Sequence, residues 1–142
     1  MSEEKMKIAE RRLRSNVFSR FNGFELESVE LDRAVYRLEI RPESRNPYGM
    51  VHGGALYTLA DDAAGTAAHS NGEYYVTQSG DLHFLRNRST GTIRATGRTR
   101  HRGRSTVLID VDITDEDGTL LATGEFTYFR VEKEVMDKKA AE

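Results

Sequence analysis

Between residues 6 and 21, Met6, Ala9, Leu13, Val17 and Phe21 recur at helical spacing among charged neighbours, and Asn22-Gly23 supplies a stop. The pattern predicts an amphipathic leading helix over residues 1–23. From Phe24 to Ile40 the period drops to two. Ala34, Tyr36, Leu38 and Ile40 share one side and Val35, Arg37 and Glu39 the other, so two strands are expected, turning near Asp32-Arg33. Both prolines and Gly49 fall between Arg41 and Met50, which reads as a loop. A second helix is predicted from about Gly53 to His69, stopped by Asn71-Gly72. Four strands follow, near Tyr74–Arg86, Thr92–Arg102, Ser105–Thr114 and Thr119–Val131, and the short turns between them predict antiparallel neighbours. In Ser105–Thr114, Val107, Ile109, Val111 and Ile113 make one apolar face, with Asp110 and Asp112 on the other. A hairpin turning at Gly103 would set Arg94 opposite Asp112 as a modest charge pair.

The central helix carries two messages. Leu56, Leu59, Ala60, Ala63 and Ala67 form an ordinary core face. The opposite face holds Gly54, Tyr57, Asp61, Gly65 and Ala68, small or aromatic where a surface helix would show Lys and Glu, so the helix is expected to be covered on both sides. Gly54 and Gly65 each cost about 1 kcal/mol of helix propensity, and close approach of another backbone is a physical reason to keep them.

At 142 residues the chain is expected to be one domain, 1–142, ending in a charged, frayed tail over 132–142. Hydrophobic residues at 37% and charged residues at 31% describe a soluble globular protein. No window approaches the roughly 18 apolar residues of a membrane span, and Met1-Ser2-Glu3-Glu4-Lys5 lacks the basic then apolar order of a signal peptide, so a cytoplasmic location is expected. The absence of cysteine removes thiolate nucleophiles and Cys-based metal sites. His52, His69, His83 and His101 show no zinc spacing, so no metal is expected. There is no glycine-rich phosphate loop and no Gly-x-Ser-x-Gly elbow. A net charge of −2 gives no global attraction to nucleic acid, and the arginines near residue 100 lack an aromatic platform.

The stretch Asn46-Pro47-Tyr48-Gly49-Met50-Val51-His52-Gly53-Gly54-Ala55-Leu56-Tyr57-Thr58-Leu59-Ala60-Asp61 resembles the signature of the hotdog-fold thioesterases of the phenylacetate-pathway type. Phe84-Leu85-Arg86 and Arg102-Gly103-Arg104 match that family's strand and turn, and the resemblance spans about Phe24 to Val131. It implies an α+β hotdog fold, an antiparallel sheet wrapped around the central helix, and hydrolysis of an acyl-coenzyme A thioester to free acid and CoA. No cofactor is implied, CoA being part of the substrate.

Thioester hydrolysis needs a donor for the developing oxyanion and a carboxylate that attacks or activates water. The Gly53 amide, in the first turn of the helix, suits the first task, and Asp61 suits the second as base or nucleophile. Eight residues at about 1.5 Å each put them roughly 12 Å apart, so one thioester carbon reaches both only if they come from two subunits. The resemblance implies the same, in a dimer or a dimer of dimers. Asp62, about 100° round the helix, is a rival acid read as polar support. By resemblance Asn46 holds the preceding loop or the thioester, His52 orders the Gly53 turn, and Thr77 holds the attacking water or Asp61. Gly54 and Tyr57 are expected to line the substrate, with Tyr48 and Leu56 as apolar contacts. Arg102, Gly103 and Arg104 are expected to hold the CoA phosphates. Two alternatives stand beside hydrolysis. One is a non-catalytic acyl-CoA binding or sensing module; the other is a hotdog dehydratase, which would need a histidine paired with an acid.

Overall fold

The computed structural model describes Ser2 to Val135; the remainder of the charged tail, 136–142, lies outside the described residues. The leading segment is two helices, not one: α1, Ser2–Ser15, and α2, Val17–Phe21. Asn16 makes the break. Its side chain accepts from Ser19 N at 3.1 Å and caps α2, the competition between Asn side chain and helical backbone that disfavours Asn inside helices. The apolar stripe is therefore interrupted. Ala9 is buried and Met6 and Leu13 pack on the core, but Val17 and Phe21, expected on the same buried face, are 70% and 80% exposed.

Six antiparallel strands form one sheet in the order β1-β2-β4-β5-β6-β3. They are β1 Phe24–Glu30, β2 Arg33–Glu39, β3 Tyr74–Phe84, β4 Thr92–Arg102, β5 Thr106–Thr114 and β6 Leu120–Val131. Asp32, at φ 65°, makes the β1–β2 turn. The strands lie where the alternation puts them, with one difference in pairing. β3 is not beside β4; it crosses to the far edge and pairs with β6, while β4 pairs with β2. The segment after β3 is a crossover, held to the loop before the helix by Val51 N donating to Arg88 O at 3.0 Å and Asn87 Nδ2 donating to Val51 O at 2.9 Å. The β4–β5 register also differs. The hairpin closes beyond Gly103, whose N–H donates to Thr106 O, and a bulge lies between Thr99 and His101. Arg94 thus faces Thr114 instead of Asp112, and pairs with Glu27 at 2.8 Å.

The long helix α3, Gly53–His69, packs across this sheet. Leu56, Leu59, Ala60, Ala63 and Ala67 are at most 1% exposed, as are Val107, Ile109, Val111 and Ile113 of β5. The helix approaches closest where the sequence is smallest on both sides: a Cβ on Gly97 of β4 would stand 2.8 Å from Ala63 O. That is where backbone meets backbone. Within one copy of the chain, Gly54 lies under the His52 ring and Gly65 against the Tyr128 ring.

Candidate active site

Asp61 lies mid-way along α3 and is held from two strands. Tyr128 Oη of β6 donates to Asp61 Oδ1 at 2.5 Å and approaches Asp61 O at 3.0 Å, and Thr77 Oγ1 of β3 donates to the same Oδ1 at 3.0 Å. Charge-assisted O–H···O⁻ bonds are the strong ones, so Oδ1 is pinned. Asp61 Oδ2 has no hydrogen-bond partner among the described residues. A cleft of about 290 Å³ opens beside it, lined by Asp61, Asp62, Thr77 and Tyr128 together with Arg12 and Leu13 of α1. Burial, with the Asp61 charge and hydrogen bond, raises the Tyr128 phenol well above its usual range, so it stays a proton donor. Tyr128 is a site residue that the sequence motif alone does not reveal. A signal existed: Phe126 and Tyr128 alternate onto the core face of the last strand, and a tyrosine there needs a partner for its hydroxyl.

At the start of α3, His52 is the N-cap. Its Nδ1 accepts from Gly54 N at 2.8 Å, while Ala55 N and Leu56 N donate to His52 O. The Gly53 N–H has no partner among the described residues, and a Cβ on Gly53 would meet only the Phe84 ring, at 3.8 Å. Asn46 Oδ1 accepts from Tyr48 N and Met50 N at 2.9 and 3.2 Å and so fixes the loop leading into the helix. Thr77 reaches Asp61 itself. Tyr57, one turn before Asp61, packs at a 59° tilt against Phe126 with ring centroids 5.2 Å apart. Gly54 has its N–H taken by His52.

The turn expected to hold phosphate is mostly occupied by the fold. Arg102 uses its guanidinium on Asp32 Oδ1 (2.7 and 3.1 Å), Ala67 O, Ala68 O and Tyr75 Oη, closing the C-terminal end of α3. The Gly103 N–H is spent on Thr106 O. Of the three residues only Arg104 is exposed with an uncommitted side chain among the described bonds. Arg100 faces Asp110 and Glu125 at 3.7 and 3.5 Å, so it too is paired with carboxylates. We expect Arg102→Met to lower unfolding stability by about 2–3 kcal/mol in urea titrations, because it strands buried acceptors, while leaving KM for a CoA thioester within about twofold.

Asp62 is more than polar support. Ser19 Oγ of α2 donates to its Oδ2 at 2.5 Å, tying the leading segment to α3. Burial lifts the carboxyl to about 7, the Ser19 bond opposing and the Asp61 charge adding to the rise. An unfolded aspartate ionises near 3.8, so between that value and about 7 the folded protein keeps a proton that the unfolded chain has released. The stability due to this group is complete at the acid end and is lost as pH rises through about 7. Asp62→Asn, which keeps an acceptor for Ser19, is expected to flatten that decline and to be more stable than the wild type at about pH 8, read as urea midpoints across the range.

A long helix packed across a six-stranded antiparallel sheet defines the hotdog architecture. The chain belongs to the thioesterase superfamily, whose sequence profile matches residues 48–122, and it is a thioester hydrolase. It is 33% identical over 108 residues to the 1,4-dihydroxy-2-naphthoyl-CoA hydrolase of Listeria monocytogenes, spanning 74% of this chain and 88% of the relative. It is 31% identical over 101 residues to the acyl-coenzyme A thioesterase PaaI of Escherichia coli, spanning 70% of this chain and 72% of the relative. The solved structure of E. coli PaaI, from the phenylacetic acid degradation operon, superposes with a TM-score of 0.88 at 26% identity over 93% of this chain and 96% of that one. A Streptococcus mutans protein, smu.793, solved with acetyl CoA bound, superposes with a TM-score of 0.75 at 32% identity over 80% and 92%. Among the described residues no helix is long and apolar enough to cross a membrane.

Proposed function

We propose that the protein hydrolyses an acyl-CoA thioester in a site shared by two copies of the chain, with Asp61 from one and the Gly53 amide from the other. The observation that carries this reading is the state of Asp61, a residue lining the cleft: one oxygen is held by Tyr128 and Thr77, and the other has no partner among the described residues. The thioester carbonyl oxygen accepts from the partner's Gly53 N–H, while Asp61 Oδ2 either takes a proton from water or attacks the carbonyl carbon directly. In the first route water oxygen bonds to carbon, the C–S bond breaks, and the CoA sulfur leaves with the proton Asp61 received. In the second, the C–S bond breaks as an anhydride forms on Asp61 and CoA leaves as thiolate; water then opens the anhydride, its hydroxyl going to the acyl carbon and its proton to the thiolate. Either way the products are the acid and CoA.

Self-association is supported by the edge of the sheet. β3 runs Tyr74–Phe84 with one side unpaired, and Tyr57, Val76, Phe84 and Phe129 are exposed around it, an apolar edge that a second copy would cover. Dehydratase chemistry is less well supported. His69 is pushed down to about 4 by burial and engages both ring nitrogens, with Gly65 O and Tyr75 N, and His52 Nδ1 is committed to its cap. CoA-thiol release from an acyl-CoA panel, with mixing of the Asp61→Asn and Gly53→Pro variants, tests the whole proposal. Random exchange between dimers makes half of them mixed, each with one intact site, so about a quarter of wild-type activity is expected to return. No recovery after demonstrated exchange would overturn the shared site.

A further inference from the structure

We infer that Arg12 reads the far end of the acyl group, so that the cleft beside Asp61 favours thioesters of dicarboxylic acids, whose free carboxylate pairs with the guanidinium. This rests on the reading of Asp61 as the group at the thioester. Arg12 lines the Asp61 cleft and also a second cavity of about 240 Å³ between α1 and the C-terminal end of α3. Thr66 and His69 line both as well, so the two spaces adjoin. An acyl chain entering at Asp61 and running toward α1 meets Arg12 where they join.

The guanidinium is half-buried, and burial pulls its pKa below the usual arginine value. Even so, it has no carboxylate within ion-pair distance among the described residues; its recorded contact is with the Tyr74 ring, 5.6 Å from the centroid. Arg88, Arg94 and Arg102 each hold a carboxylate, at 2.9, 2.8 and 2.7 Å. A cation withdrawn from water without a counter-ion is unfavourable until an anion arrives, which makes its retention beside a reactive carboxylate a property of ligand binding. Glu4 and Lys5 line the adjoining cavity but not the Asp61 cleft, and within the cleft the other titratable groups do not compete for the role. His69 is neutral with both nitrogens engaged, and Asp62 is bonded to Ser19. Tyr36 bonds Thr66 at 2.9 Å, and burial pushes its phenol up to about 12, so it is uncharged. Asp61 repels a carboxylate placed beside it, which favours acyl chains long enough to keep the two apart.

The test measures binding on the non-hydrolysing Asp61→Asn protein by calorimetry. Glutaryl-CoA and adipyl-CoA are compared with pentanoyl-CoA and hexanoyl-CoA, which match them in length and lack the terminal charge. The carboxylated ligand is expected to bind about tenfold more tightly in at least one pair. Adding Arg12→Gln is expected to abolish that preference while changing affinity for the uncharged ligands by less than about twofold; Arg12→Lys is expected to keep part of it. No preference in the parent, or a preference that survives Arg12→Gln, overturns the inference. Equal weakening of all four ligands also overturns it, since Arg12 would then be supporting the fold or the CoA moiety. Because hydrolysis plays no part in this readout, a protein that binds as expected but cleaves no thioester would uphold Arg12 and refute the catalytic reading.

Discussion

The Asp61→Asn variant is expected to lose on the order of 10³-fold in kcat while unfolding at the wild-type midpoint. The reason lies in how the two carboxylate oxygens are used. Oδ1 accepts from Tyr128 and Thr77, and an asparagine carbonyl can accept from both in the same geometry, without the charge assistance. The substitution therefore keeps the hydrogen bonds that join α3 to β6 and β3. What it replaces is Oδ2, the oxygen left without a partner among the described residues, with an amide nitrogen that neither takes a proton from water nor attacks a carbonyl. KM should move little, since no binding contact is deleted. Thr77→Ala provides the contrast. It removes one of two anchors from Oδ1 and is expected to lower kcat by about tenfold, because the other anchor, Tyr128, is buried and remains. A wild-type rate in Asp61→Asn would remove this carboxylate from the chemistry, and a collapse in stability would make it a structural residue.

The helix that carries the site was legible because its pattern is local. The span Gly53–His69 and its core face follow from spacing within one element, and so does the Val107 to Ile113 stripe. Features that depend on distant residues were not legible. Arg102 stood out as part of a basic turn, yet its partners are Asp32, Ala67, Ala68 and Tyr75, which only the folded chain brings together. The placement of β3 beside β6 is likewise a matter of crossover, and a short connection to β4 gives no hint of it. Counting through a hairpin at Gly103 sets Arg94 against Asp112, whereas a bulge and a later turn move the register to Thr114. The leading helix failed at Asn16, where a capping side chain outweighed an otherwise continuous apolar stripe. Ser19, which bonds the half-buried Asp62 from 43 residues away, carries no mark in the sequence.

Gly53→Pro separates the amide from everything else at the start of α3. Gly53 is the first residue of the helix, the position where proline is most readily accepted because its missing N–H would have no intrahelical partner. His52, at φ −64° and ψ 135°, already has the extended conformation that a following proline demands. The nearest group to an added Cβ is the Phe84 ring, at an ordinary 3.8 Å. The fold should accept the change, with a urea midpoint close to wild type. The only hydrogen-bonding group removed is the free N–H, so kcat is expected to fall roughly 10²- to 10³-fold, the loss typical of one oxyanion donor. Gly53→Ala keeps the N–H and adds the side-chain carbon. It is expected to retain most of the rate, which distinguishes loss of the donor from crowding of the substrate. If the proline and alanine variants fall together, the amide is not the oxyanion donor and Gly53 matters only for the space it leaves.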